Sequence, residues 1–234
     1  MNKSLKIRGF TLVELLVVIS IIGLLAGLAV PAIGAAQKKA KSGACMSNLR
    51  QIGIATIAYA AENKFNLPNA GSGNSPEWAT TLAESMSLDA KKKKSVFVCP
   101  GAEKPVQEGV TGEVAVTYGM HGGLMPKGGT AVNLGSVARA SEIILAADMC
   151  QNPGNKGWSP YSIENPPIFV SQSGGRGGAT DLTTTISTAT DSDTGNNPWM
   201  RYRHAGRVNV VMCDGHVESL KKGEVLNKHV LFTQ

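Results

Sequence analysis

The residues of this 234-residue chain that could move protons or hold a metal are its histidines, aspartates and cysteines. Their spacing argues mostly for structural roles. His204 is followed by nine residues and then by Asp214 and Gly215. If 207–213 is one extended strand, at about 3.3 Å per residue His204 and Asp214 stand about 20–30 Å apart and share neither a metal nor a proton. His216 is nearer, but an Asp in a turn ordinarily caps backbone donors. Asp191 and Asp193, with Gly195 behind them, are closely spaced oxygen donors of the kind calcium prefers. The twelfth position of an EF-hand loop, however, falls on Tyr202 rather than on a Glu. A solvated loop is therefore expected there, with calcium the weaker reading and no cofactor or metal otherwise. Cys45, Cys99, Cys150 and Cys213 stand singly, without the CxxC pairs of a zinc site. His121 in YGMHGG has no paired ligand, and no Ser/His/Asp order, nucleotide loop or HExxH pattern occurs. No catalytic residues are assigned, and an enzyme is not expected.

The chain is long enough for one membrane segment and one modest domain. The formal charge is +6, with Lys3, Lys6 and Arg8 ahead of residue 9. The remaining excess is too mild to argue for nucleic acid. Twenty-seven glycines and 5% aromatics indicate a loop-rich head with few large core anchors.

Residues 10–30 read FTLVELLVVISIIGLLAGLAV, with Glu14 the one charge. At 1.5 Å per residue the run crosses a hydrocarbon layer of about 30 Å. A secretory signal places its small-residue cut site after the apolar run. Here Gly9 precedes it, so cleavage at Gly9 would keep the membrane helix. The basic residues in front predict a cytoplasmic N-terminus and an exported head. An acidic residue in such a segment costs roughly 2.5–3.5 kcal/mol on insertion scales and implies a partner, unless it reaches the headgroups.

The downstream stretch continues helical to residue 62, with Leu49, Ile52, Thr56 and Tyr59 at three-to-four spacing, although Pro31 ends or kinks its apolar part. Lys38, Lys39 and Lys41 are interface anchors. A short helix is expected over 78–86, with Trp78 and Leu82 on one face, and strands over 96–98, 114–118 and 143–147. The run 91–94 of four lysines reads as a solvated turn. Residues 151–200 read as irregular loops, where any partner specificity would lie. The sequence RVNVVMCDGHVESL reads as a hairpin about Asp214 and Gly215.

KIRG followed by FTLVELLVVISIIGLLAGLAVP resembles the signal of type IV pilins and type II secretion pseudopilins. The resemblance implies cleavage after Gly9 by a prepilin peptidase that also N-methylates Phe10. It further implies that Glu14 pairs with the Phe10 amine of a neighbouring subunit and so sets register during assembly. His204, Asp214 and Gly215 are similar to the H-X9-DG element of prepilin-type proteins and are markers of that likeness, as are CMSNLRQIG and VFVCP. The implied fold is α+β and pilin-like. Residues 10–33 form the transmembrane half of a long helix and 34–62 its amphipathic half. Residues 63–234 form a head with a small antiparallel sheet and long irregular loops, after a leader of 1–9.

An exported head favours disulfides. Four cysteines allow three pairings, which the sequence does not choose among. The segments lean to 45 with 99 and 150 with 213, with four buried free thiols the alternative. The leading function is a structural subunit of a type IV pilus or type II secretion pseudopilus. It would sit single-pass in the inner membrane or in a surface filament, with the peptidase, other pilin or pseudopilin subunits and membrane lipid as partners. The rival readings are a membrane-tethered binding module that does not polymerise and, ranked lowest, an anchored hydrolase using His204 or His121.

Overall fold

The structure, a computed structural model, describes residues 10–69, 71, 77–89, 95–104, 106, 107, 114–125, 132–152, 162, 163, 183, 185, 186, 191–193 and 199–230. The leader with Gly9, the lysine run at 91–94, Gly195 and most of 151–200 lie outside these residues.

Helix α1 spans Leu12–Glu62 and runs through Pro31 without a break in assignment. The chain divides into two compact units, Met1–Ala40 and Lys41–Gln234. In the first, every described residue from 10 to 33 is exposed, including Leu12 at 80% and Leu28 at 70%. This apolar half of α1 is long enough to cross a membrane.

In the second unit the character of α1 changes. Cys45, Leu49, Ile52, Thr56 and Ala60 are buried at three-to-four spacing, the stripe by which the helix packs on a sheet. The sheet has the order β3-β1-β2-β4-β5, with β1 Tyr118–His121, β2 Ile144–Asp148, β3 Ser162–Ile163, β4 Arg207–Met212 and β5 Val217–Lys221. β1, β2, β4 and β5 are antiparallel neighbours, and the two-residue β3 is parallel to β1 at the edge.

Alternation along β4 explains why both faces of the sheet are covered. Val211 joins the core under α1, while Val208, Val210 and Met212 join a second cluster with Met200, Tyr202, Val225 and Val230. A register shift between Ile144 and Ala146 interrupts the same alternation in β2. Beyond it, Ala146 lies in the core under α1 and Ala147 in the opposite cluster. Asp148 is thereby turned to the α1 side.

Helix α2, Glu77–Ser85, buries Trp78 and Leu82, and Trp78 meets Phe97 edge to face at 5.6 Å. The expected strand at 96–98 is instead a turn, in which the Val98 amide donates to the Ser95 carbonyl at 3.1 Å. Its residues are apolar because they are buried, not because they alternate in a sheet. Of 114–118 only Tyr118 is in a strand, and that strand continues to His121. The β4–β5 hairpin turns at Asp214 and Gly215, where Gly215 has φ +89°. The chain continues past the hairpin into a 3-10 turn, Asn227–His229.

Candidate functional site

Four polar side chains from four separate segments converge under the buried face of α1. Cys45 comes from α1, Cys99 from the turn after Phe97, Asp148 from the end of β2, and His204 from the turn that enters β4. Their Sγ, carboxylate and imidazole atoms all lie within 4.8 Å of one another, and all four residues are buried. His204 Nε2 is 3.1 Å from Asp148 Oδ2 and 3.4 Å from Cys99 Sγ. Cys45 Sγ is 3.8 Å from Asp148 Oδ2.

Local structure fixes each member. Cys45 lies one helical turn before Leu49 on the buried stripe, and Asn48 Nδ2 donates to the Val98 carbonyl at 3.2 Å, tying the Cys99 turn to α1. The Cys99 amide donates to Thr117 Oγ1 at 2.6 Å, and the Gly101 amide donates to Cys99 Sγ at 3.3 Å. A Cβ on Gly101 would stand 2.7 Å from His204 Cε1, so glycine is required for the imidazole to approach. His204 opens a two-residue turn closed by reciprocal backbone bonds with Arg207 at 3.2 Å. Ala205 at φ +54° and Gly206 at φ +75° supply its two left-handed residues.

Arg203 supports the cluster from behind. Its guanidinium, fully buried, donates from Nε to Asp148 Oδ1 at 2.9 Å, from Nη1 to Gln151 Oε1 at 3.1 Å, and to the Met149 carbonyl. Asp148 thus turns one oxygen to arginine and the other to the thiols and imidazole. Tyr118 pairs with Asp148 across β1 and β2 and so shares its face. The Tyr118 hydroxyl is buried, and among the described residues its polar neighbour is the Cys45 thiol.

The electrostatics are those of a crowded, dry site. The neighbouring Cys45 thiol, burial and Asp148 together push the Cys99 thiol far up. Burial alone would lower the His204 imidazole, but Asp148 and Cys99 outweigh it and hold it at about 9. Burial, reinforced by Cys45, Cys99 and Asp148, raises the Tyr118 phenol. Two sulfurs, an imidazole nitrogen and a carboxylate oxygen form a donor set able to hold a borderline-soft cation.

The other expected site residues lie elsewhere. Asp214 does not meet His204; its Oδ1 accepts the His216 amide at 3.0 Å and contacts His216 Nδ1 at 2.6 Å on the exposed hairpin turn. Asp191 and Asp193 face cations of the chain itself. Asp191 meets Arg201 at 2.8 Å and Lys222 at 3.0 Å, and Asp193 meets Arg201 at 3.2 Å and accepts the Gln151 amide at 2.6 Å.

All four cysteines are free. The pairing of 150 with 213 is excluded by the sheet. The Cys213 amide bonds to the Ile143 carbonyl at one end of β2, while Cys150 lies past the other end, about 20 Å away at 3.3 Å per residue. Cys45 and Cys99 do meet, as thiols in the shared cluster. His121 is a buried structural residue. Its Nδ1 accepts the Gly123 and Leu124 amides at 3.1 and 3.2 Å, and its Nε2 donates to the Val230 carbonyl at 2.8 Å.

At the start of α1, Glu14 Oε2 accepts from the Thr11 amide at 2.9 Å and from Thr11 Oγ1 at 2.7 Å, while the Glu14 amide donates to Thr11 Oγ1 at 3.3 Å. This is a capping box, written in the sequence as Thr-x-x-Glu. Sequence reasoning missed it, and it missed Asp148, Arg203 and Tyr118. The available signal for Asp148 was a carboxylate closing the apolar run ILAAD, a charge that burial obliges to find a partner.

No curated protein and no solved structure matches this chain. Residues 5–30 match the prokaryotic N-terminal methylation motif. The chain therefore carries a type IV pilin-like prepilin signal ahead of its α+β head.

Proposed function

We propose that this chain is the precursor of a structural subunit, cut after Gly9, N-methylated on Phe10 and assembled into a type IV pilus or a type II secretion pseudopilus. The observation that carries the reading is the methylation motif at 5–30 opening onto an apolar helical segment whose side chains from 10 to 33 are all exposed. An exposed surface of that length requires lipid or other apolar helices around it. The subunit waits in the inner membrane with its head on the far side, and neighbouring helices replace lipid when it enters a filament. Glu14, the one acidic side chain in the span, then pairs with the methylated amine of a neighbour's Phe10.

The test is intact mass and N-terminal sequencing of the protein recovered from membranes of cells with and without a prepilin peptidase. A product beginning at methylated Phe10, formed only with the peptidase, is expected. An uncut Met1 terminus in both strains, or a cut beyond residue 33, overturns the reading and leaves a tethered or secreted binding module.

A further inference from the structure

We propose that Cys45, Cys99, Asp148 and His204 form a structural zinc site that ties α1 to the sheet. Tetrahedral zinc, with Zn–S of about 2.3 Å and Zn–N or Zn–O of about 2.0–2.2 Å, sets ligand-to-ligand edges of about 3.4 Å for N to O and about 3.6 Å for S to N or S to O. The corresponding distances here are 3.1, 3.4 and 3.8 Å. These three of the six edges are within a few tenths of an ångström of the tetrahedral value, and all six are at most 4.8 Å. The protein already gathers the four donors around one point, with Nε2 as the imidazole ligand.

Charge points the same way. With the ion bound, two thiolates and a carboxylate would carry three negative charges in a buried space, which the dication and the Arg203 guanidinium balance in full. Arg203 binds the Asp148 oxygen that does not face the cluster, the orienting role that partners of metal ligands ordinarily take. The Gly101 amide already donates to Cys99 Sγ, a bond that favours the thiolate. The buried Tyr118 hydroxyl, whose polar neighbour among the described residues is the Cys45 thiol, points the same way. A thiol accepts a hydrogen bond weakly, and a metal-bound Cys45 thiolate would accept it strongly.

Two thiolates with one imidazole and one carboxylate suit zinc better than calcium or magnesium, which take oxygen ligands. With all four corners filled from the chain and the ligands buried, the site is closed, which fits a structural rather than a catalytic ion. Its ligands come from α1, the Cys99 turn, β2 and the entry to β4, so one ion fastens the main pieces of a head with few aromatic anchors.

The test uses the full-length protein in mild detergent, purified under reducing conditions. Elemental analysis should find about one zinc per chain. After removal of zinc, cobalt(II) should give the visible bands of a tetrahedral ion and an ultraviolet thiolate-to-cobalt band, both saturating at one equivalent. Cys45→Ser and Cys99→Ser should each weaken the thiolate band, whereas Cys150→Ser and Cys213→Ser should leave it intact. Arg203→Met should weaken cobalt binding about 10–100-fold, as loss of an orienting partner does, and Tyr118→Phe about tenfold. Zinc that survives in a Cys45→Ser, Cys99→Ser double variant overturns the proposal. So does wild-type protein that takes up no cobalt, or a Cys45 to Cys99 disulfide found in most of the protein mapped without reduction from cells. The wild-type stoichiometry and spectra decide the matter even if a variant fails to fold.

Discussion

Glu14 carries two physical roles that one substitution separates. Within its own chain it closes a capping box with Thr11, a role that glutamine also fills. Between chains it would offer a negative charge to a neighbour's amine, which glutamine does not. Glu14→Gln should therefore insert and be processed like the wild type, yet reduce recovery of the subunit in sheared filaments at least tenfold, as should Glu14→Ala. Normal filament recovery with the glutamine variant would assign Glu14 to the cap alone. His121 offers a pH prediction at the same scale. Burial depresses its imidazole from 6.5 to about 4, and two amides donate to the nitrogen that a second proton would occupy. The unfolded chain thus binds the extra proton between pH 6.5 and 4 while the folded one does not. The His121 contribution to stability is fully present above pH 6.5 and is lost, by on the order of 3 kcal/mol, as pH drops to 4. His229, also lowered by burial and by Lys228, adds to the same slope. Thermal midpoints of the full-length protein in detergent should fall over that window, and less steeply in His121→Gln. Equal slopes in both proteins would rule out the His121 contribution.

Between elements, the contact of α1 with β4 turns on Gly53. A Cβ there would stand 2.6 Å from Val211 Cγ2. Valine is stiff about χ1 and does not swing aside freely. Gly53→Ala gains about 1 kcal/mol of helix propensity but overpacks the contact at a cost of about 1–3 kcal/mol. A net loss of about 1 kcal/mol is expected in chemical denaturation, with Val211→Ala making room, so that the double variant loses less than the two singles together. A more stable Gly53→Ala would mean that the helix can shift on the sheet. Legibility in the sequence follows the same physics. The stripe at Leu49, Ile52 and Thr56, the helix at Trp78 and Leu82, and the hairpin at Asp214 and Gly215 each rest on a local rule of period or turn chemistry, and each stands in the structure. The turn at 96–98 reads as a strand in the sequence because burial and β-branching look alike over three residues. The Cys45, Cys99, Asp148 and His204 cluster was not legible as a unit. Its members lie about fifty residues apart from one another along the chain, and only the bulge in β2 and the left-handed turn before β4 aim them at one point.

At the scale of the whole chain, the two compact units predict different solution behaviour. The buried residues of α1 begin at Cys45, and the core of the second unit is built from residues of Lys41–Gln234. That unit contains its own hydrophobic clusters on both faces of the sheet, which is what a segment needs to fold alone. A chain starting at Lys41 should therefore be water-soluble and unfold in one cooperative transition. The full-length chain adds the exposed apolar residues from Phe10 to Ile33. Large apolar side chains contribute roughly 1.5–3 kcal/mol each when taken out of water, so this segment should hold the chain in the membrane through alkaline carbonate extraction. Two variants sharpen the comparison. Leu16→Lys with Ile22→Lys should release the full-length chain into the carbonate supernatant. Leu49→Ala should leave it in the membrane but destabilise the soluble unit by about 2–5 kcal/mol, the usual loss for a buried leucine, and so lower its unfolding midpoint. If the chain starting at Lys41 aggregates or lacks a transition, the first forty residues contribute to the folding of the head, and the division of labour between anchor and head is lost.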